Sequence, residues 1–165
     1  DNSGSMVDGA KWNQVIAVVN DILMNHPQMK GFQIIAADGS FLYAGQEGQW
    51  LSDSTTMRQR AMDRMRSFTG GGSAPEVGIL RALDLYSKTR GKVSLYVFGD
   101  DYRHRDLDAI VSEITSRNTD AIGNPRFRIH GIGFYRPSGG DATQFAAFMQ
   151  AVSKRNRGAF VGLAF

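Results

Sequence analysis

Apolar residues recur at helical spacing at Trp12, Val15, Ile16, Val19 and Leu23, and the pattern stops at His26-Pro27, where proline disfavours a helical residue before it. This predicts one amphipathic helix. Phe32-Gln33-Ile34-Ile35-Ala36-Ala37, the pair Asp38-Gly39 and Phe41-Leu42-Tyr43 follow, reading as two antiparallel strands closed by a tight hairpin. Met57, Ala61, Met65 and Phe68 line one face of a second helix whose other face carries Arg58, Arg60, Arg64 and Arg66, a pattern expected of solvated surface. Gly70-Gly71-Gly72 then breaks the chain before a third helix from about Glu76 to Tyr86. Lys92 to Phe98 reads as a buried strand that ends in Gly99-Asp100-Asp101. Leu107, Ile110, Val111 and Ile114 mark a fourth helix, Phe127 to Phe134 another strand, and Ala159 to Leu163 a last one. Between those two strands Phe145, Phe148, Met149 and Val152 mark a fifth helix, with Asp141 as its expected cap.

Helices and strands alternate throughout. That order predicts an α/β fold with an open, mostly parallel, doubly wound sheet, helices on both faces and one short antiparallel edge strand from the early hairpin. A length of 165 residues with 42% hydrophobic and 21% charged residues fits one globular domain over residues 1–165. No apolar run approaches the roughly 20 residues that a membrane-spanning helix needs. The absence of cysteine excludes a disulfide framework and any Cys-ligated metal, and it leaves the compartment open. A formal charge of +3 mildly favours acidic partners and is too small an excess to make nucleic acid the expected one.

In open α/β sheets ligands bind beyond the carboxyl ends of the strands, so the polar residues that follow strands are where chemistry is expected. Asp1-Asn2-Ser3-Gly4-Ser5 immediately precedes the first helix, and an extended stretch puts Asp1, Ser3 and Ser5 on one side. One carboxylate and two hydroxyls converge there. Asp100 ends a strand, and Gly71-Gly72-Ser73 places another hydroxyl just before a helix. Oxygen-only donors suit a hard cation such as Mg²⁺, with Mn²⁺ or Ca²⁺ as alternatives. Gly70 to Ser73 has the look of a phosphate cradle, but the chain lacks the Gly-x-x-x-x-Gly-Lys-Ser/Thr pattern of a nucleotide site. His130, inside an apolar strand, reads as a satisfied core residue, and His26 as a helix-end cation.

Asp1-Asn2-Ser3-Gly4-Ser5-Met6 resembles the Asp-x-Ser-x-Ser motif of von Willebrand factor type A domains, the fold also used by integrin inserted domains. Gly71-Gly72-Ser73 falls where that family has Gly-Gly-Thr, followed at family-like spacing by Gly78, Ala82 and Leu83, and Asp100 falls where its strand-end Asp stands. Arg128 to Phe134 and Arg157 to Val161 resemble its fifth and last strands. The resemblance covers nearly the whole chain, with the family's first strand expected upstream of Asp1. It implies a metal-ion-dependent adhesion site with Asp1, Ser3, Ser5, Ser73 and Asp100 as ligands and Glu76, from a Pro75-Glu76 pair like that of integrin beta subunits, in reserve. Two departures stand out: Ser73 replaces the usual Thr, and Gly99-Asp100-Asp101 replaces Thr-Asp-Gly, adding a negative charge.

The function implied is metal-dependent protein recognition, in which the ion's exchangeable position takes an Asp or Glu of a protein partner, with no small-molecule substrate. The expected rim comprises Gly72, Asp101, Tyr102, Arg103, His104 and Arg105, with Tyr135, Arg136 and Pro137 beside it. Location leans toward the cell envelope or the extracellular side. A hydrolase using the same ion needs a base, for which Asp101 and His104 are the candidates. A metal-free scaffold would instead use the Arg-bearing second helix as a surface for nucleic acid or assembly.

Overall fold

The structure, a computed structural model, describes residues 1–7, 9–102, 106–135 and 142–164, apart from the side chains of Ala142 and Thr143. In chain order its elements are α1 (Gly9–Met24), β1 (Gly31–Phe32), β2 (Leu51–Ser52), α2 (Thr55–Met65), α3 (Pro75–Tyr86), β3 (Val93–Gly99), α4 (Leu107–Asn118), β4 (Phe127–Tyr135), α5 (Ala142–Arg155) and β5 (Phe160–Ala164). All five expected helices form. Local chemistry explains several of their ends: the Ser54 hydroxyl accepts from Met57 N at the start of α2, Pro75 occupies the first turn of α3, and Asp106 accepts from Ala109 N to cap α4.

The parallel part of the sheet is β3-β4-β5 in that order, with Val93 opposite Phe127 and Gly131 opposite Phe160. The period of two along these strands sends their side chains to two cores. Leu95, Val97 and Ile129 join the cluster of α3, α4 and α5, built around Ile79, Leu83, Val111, Ile114, Phe145 and Phe148. Tyr96, Phe98, Ile132 and Phe134 join the cluster of α1 and α2, with Trp12, Val15 and Met65. Helices thus cover both faces of the parallel strands.

The early hairpin departs from expectation. Instead of a ladder from Phe32 to Tyr43, there is one bridge, Ile35 with Phe41, around a turn in which Gly39 adopts φ 86°. The regular pairing is Gly31–Phe32 with Leu51–Ser52, antiparallel, and it forms a separate two-stranded sheet. A cavity of about 1000 Å³ is lined by residues of both segments 30–37 and 92–98, among them Phe32 and Ile34 and, from β3, Val93, Leu95 and Val97. β1 and β3 do not pair, and among the described residues only β4 pairs with β3.

Candidate metal centre

Three loops meet at the carboxyl end of β3. Asp100 is the first residue after that strand, and the Asp1 amino nitrogen donates to Phe98 O at 2.8 Å, which seats the Asp1–Ser5 loop against the same end. That loop is compact. Met6 N and Val7 N both donate to Ser3 O, Ser3 N donates to Asp1 Oδ1 at 2.8 Å, and the wholly buried Met6 pins the turn into the α1/α2 core.

Asn2 fastens the third loop. Its backbone oxygen accepts from Gly70 N, and its side-chain Nδ2 donates to Phe68 O at 3.3 Å, so the glycine run that carries Ser73 lies against the first loop. Glycine at position 71 lets the two loops approach this closely, because a Cβ there would overlap the Asn2 side-chain amide and force it to shift. The Asn2 side chain, which carried no chemistry in the sequence reading, is therefore a structural part of the site. Its position inside the Asp-x-Ser-x-Ser run was the available signal.

The side-chain oxygens form two groups of contacts, joined by the Ser3 N–H bond to Asp1 Oδ1. Ser73 Oγ donates to Asp1 Oδ2 at 2.8 Å, Ser3 Oγ and Ser5 Oγ lie 3.1 Å apart, and Ser5 Oγ donates to Asp100 Oδ1 at 3.0 Å. The structure thus brings together Asp1, Ser3, Ser5, Ser73 and Asp100. Glu76 stands apart from these groups: one carboxylate oxygen is buried with no hydrogen-bond partner, and its charge, after burial, helps push the Tyr102 hydroxyl above its usual pKa. The donor set suits a hard cation, with three neutral hydroxyls and two carboxylates. Among the described residues no three His, Cys, Asp or Glu side chains gather, so hydroxyls must dominate any such site.

The Lys11 side chain was not foreseen as part of the site. From the first turn of α1 its ammonium donates to Asp100 Oδ2 at 2.6 Å and to Ser5 O at 2.7 Å, and the Lys11 and Asp100 side chains are 7% and 10% exposed. The available signal was weak: a lysine in a helix's first turn, where the dipole disfavours a cation.

On the rim, Gly72 is exposed and Asp101 half-buried, with Asp101 Oδ1 accepting from Tyr102 N at 2.7 Å. Tyr102 does not belong to the rim. Its ring is 2% exposed and stacks on Phe148 at 4.2 Å, because the chain turns inward after Asp101 and the aromatic ring fills the core. Tyr135 is exposed at the end of β4. Arg103, His104, Arg105, Arg136, Pro137 and Asp141 lie outside the described residues. Of the four arginines of the second helix, Arg58 is held by Asp53 at 2.6 and 2.7 Å, leaving Arg60, Arg64 and Arg66 on exposed surface. His130 is half-buried, stacks on Tyr96 at 4.9 Å and takes the Ala159 N–H on Nδ1 at 3.2 Å, which agrees with a satisfied packing role.

No protein-family model and no curated protein sequence matches the chain. Among solved structures it is similar to a von Willebrand factor type A protein from Catenulispora acidiphila, with a TM-score of 0.73 over 99% of this chain at 13% identity. The fold is that of a von Willebrand factor type A domain. The chain spans 37% of the length of that protein. The oxygen cluster of this chain lies at the carboxyl end of β3, where the general rule for open α/β sheets puts ligands.

Proposed function

We propose that this type A domain is a protein-recognition module that holds a divalent cation on Asp1, Ser3, Ser5, Ser73 and Asp100 and uses it to capture an acidic side chain of a protein partner, without catalysis of its own. The observation that supports this most is the gathering of oxygen-bearing side chains from three loops at one end of the sheet, Ser73 with Asp1 and Ser3 with Ser5 and Asp100, the two groups joined through the Ser3 backbone N–H on Asp1 Oδ1. When bound, Mg²⁺ or Mn²⁺ supplies positive charge and an exchangeable coordination position suited to a carboxylate.

The residues do the rest. Three hydroxyls carry no charge and one of the two carboxylates, Asp100, is paired with Lys11, so the cradle does not fully neutralise a divalent cation and leaves an attraction for an external anion. The Asn2 clamp and the buried Met6 hold the loops in place before any ligand arrives, which lowers the ordering cost of binding. A carboxylate captured in this way anchors a wider interface formed by the exposed rim around Gly72 and Tyr135.

The test is a Mn²⁺ titration followed by water-proton relaxation. Wild type should bind one Mn²⁺ saturably and weakly, and Asp1→Ala should abolish the signal while its circular dichroism stays that of wild type. Absence of saturable binding in folded wild type contradicts the reading.

A further inference from the structure

Lys11 occupies a place that is costly twice over. Its side chain is almost completely buried, and it lies in the first turn of α1, where the helix dipole is positive and no acidic residue stands. Lysine is depleted from such positions for both reasons. What offsets the cost is the ion pair with Asp100, itself 10% exposed, together with the bond to Ser5 O. Both of these contacts are to residues of the oxygen cluster.

The two Asp100 oxygens are divided between different partners. Oδ1 accepts from the Ser5 hydroxyl, while Oδ2 accepts from the Lys11 ammonium. Both oxygens are thereby held in fixed directions. Lys11 also cancels one of the two carboxylate charges contributed by Asp1 and Asp100.

We infer that Lys11 is a built-in counter-cation of the centre: it ties Asp100 to Ser5 as a supporting carboxylate and keeps the cluster under-charged, so that a divalent ion is held loosely and stays receptive to an outside acid. This rests on the metal reading of the same cluster. Lys11 acts through Asp100 and Ser5 and is a positioning residue. An acidic cluster without it would bind the cation more tightly, with more of the ion's charge satisfied internally.

This makes a prediction opposite in sign to that of a merely structural lysine. The measurement is Mn²⁺ affinity by electron paramagnetic resonance of the free ion, for wild type, Lys11→Met, Lys11→Gln and Lys11→Arg, with thermal melts in chelator and in Mn²⁺. Lys11→Met and Lys11→Gln keep much of the apolar stem, and using both guards against one failing to fold. Either should bind Mn²⁺ roughly tenfold or more tightly than wild type, because a buried unit of positive charge has left the cluster. Lys11→Arg, which keeps the charge, should stay within about threefold of wild type. In chelator the neutral variants should melt below wild type, and Mn²⁺ should raise their midpoints more than it raises that of wild type. Equal or weaker Mn²⁺ binding by both neutral variants, with wild type binding normally, overturns the inference and leaves the metal reading standing. No saturable binding to wild type overturns both.

Discussion

Ser5 is exposed, yet its hydroxyl lies between Ser3 Oγ and Asp100 Oδ1, the link between the first loop and the strand end. Ser5→Ala removes no buried volume, so its effect on stability should stay within about 0.5 kcal/mol. Mn²⁺ affinity should nevertheless fall by at least the roughly tenfold that losing even a supporting hydrogen bond costs a metal centre. Calorimetry compares the two quantities in one sample. At His130 the issue is protonation. Burial, with Arg128 and His26 nearby, pulls its pKa below the ordinary 6.5, and Nδ1 accepts a backbone N–H, an arrangement that needs the neutral ring. The unfolded chain therefore takes up the proton first. Stability from this residue is complete above pH 6.5 and declines as pH falls from there toward the folded-state pKa. Urea unfolding of wild type and His130→Gln between pH 7.5 and 5 should show that part of the decline only in wild type.

Between elements, the strongest hidden tie is a pair of asparagines. Asn118, at the end of α4, gives Nδ2 to Phe127 O and to Asn156 Oδ1 and accepts Phe127 N on Oδ1, while Asn156 gives Nδ2 to Val152 O. Both residues are fully buried, joining α4 and the turn after α5 to the start of β4. Asn118→Ala leaves Phe127 N and Asn156 Oδ1 without these partners, and should cost about 2–4 kcal/mol in urea unfolding. Nothing along the chain announces such a network, because an asparagine at a helix end reads as an ordinary cap or turn residue. The helices and parallel strands were legible for the opposite reason: their apolar spacing is local, and two cores reward it directly. The Phe32–Tyr43 hairpin was legible only at its turn, since strand length depends on a neighbour and this segment lines a cavity.

For the molecule as a whole, the fold positions five oxygen-bearing residues and one buried lysine at one end of a parallel sheet, with a weakly basic surface elsewhere. The oxygen donors were legible because the Asp-x-Ser-x-Ser run, the glycine loop and the strand-end Asp each carry a local signature. Lys11 and Asn2 carried only weak local signals, since Asp100 and the Phe68 carbonyl, which they hold, lie 89 and 66 residues away in the chain. The claim that recognition passes through a bound ion is separable from a purely electrostatic attraction by Arg60, Arg64 and Arg66, which salt would weaken steadily. The most direct measurement is retention of the wild-type domain on an array of peptides bearing Asp or Glu, against the same peptides with Asn or Gln, in Mg²⁺ and in excess chelator at fixed ionic strength. Retention on a subset of acidic peptides that disappears both with chelator and with the amide counterpart is the predicted result. Retention on the acidic peptides that chelator leaves unchanged, or equal retention on the amide peptides, would contradict it.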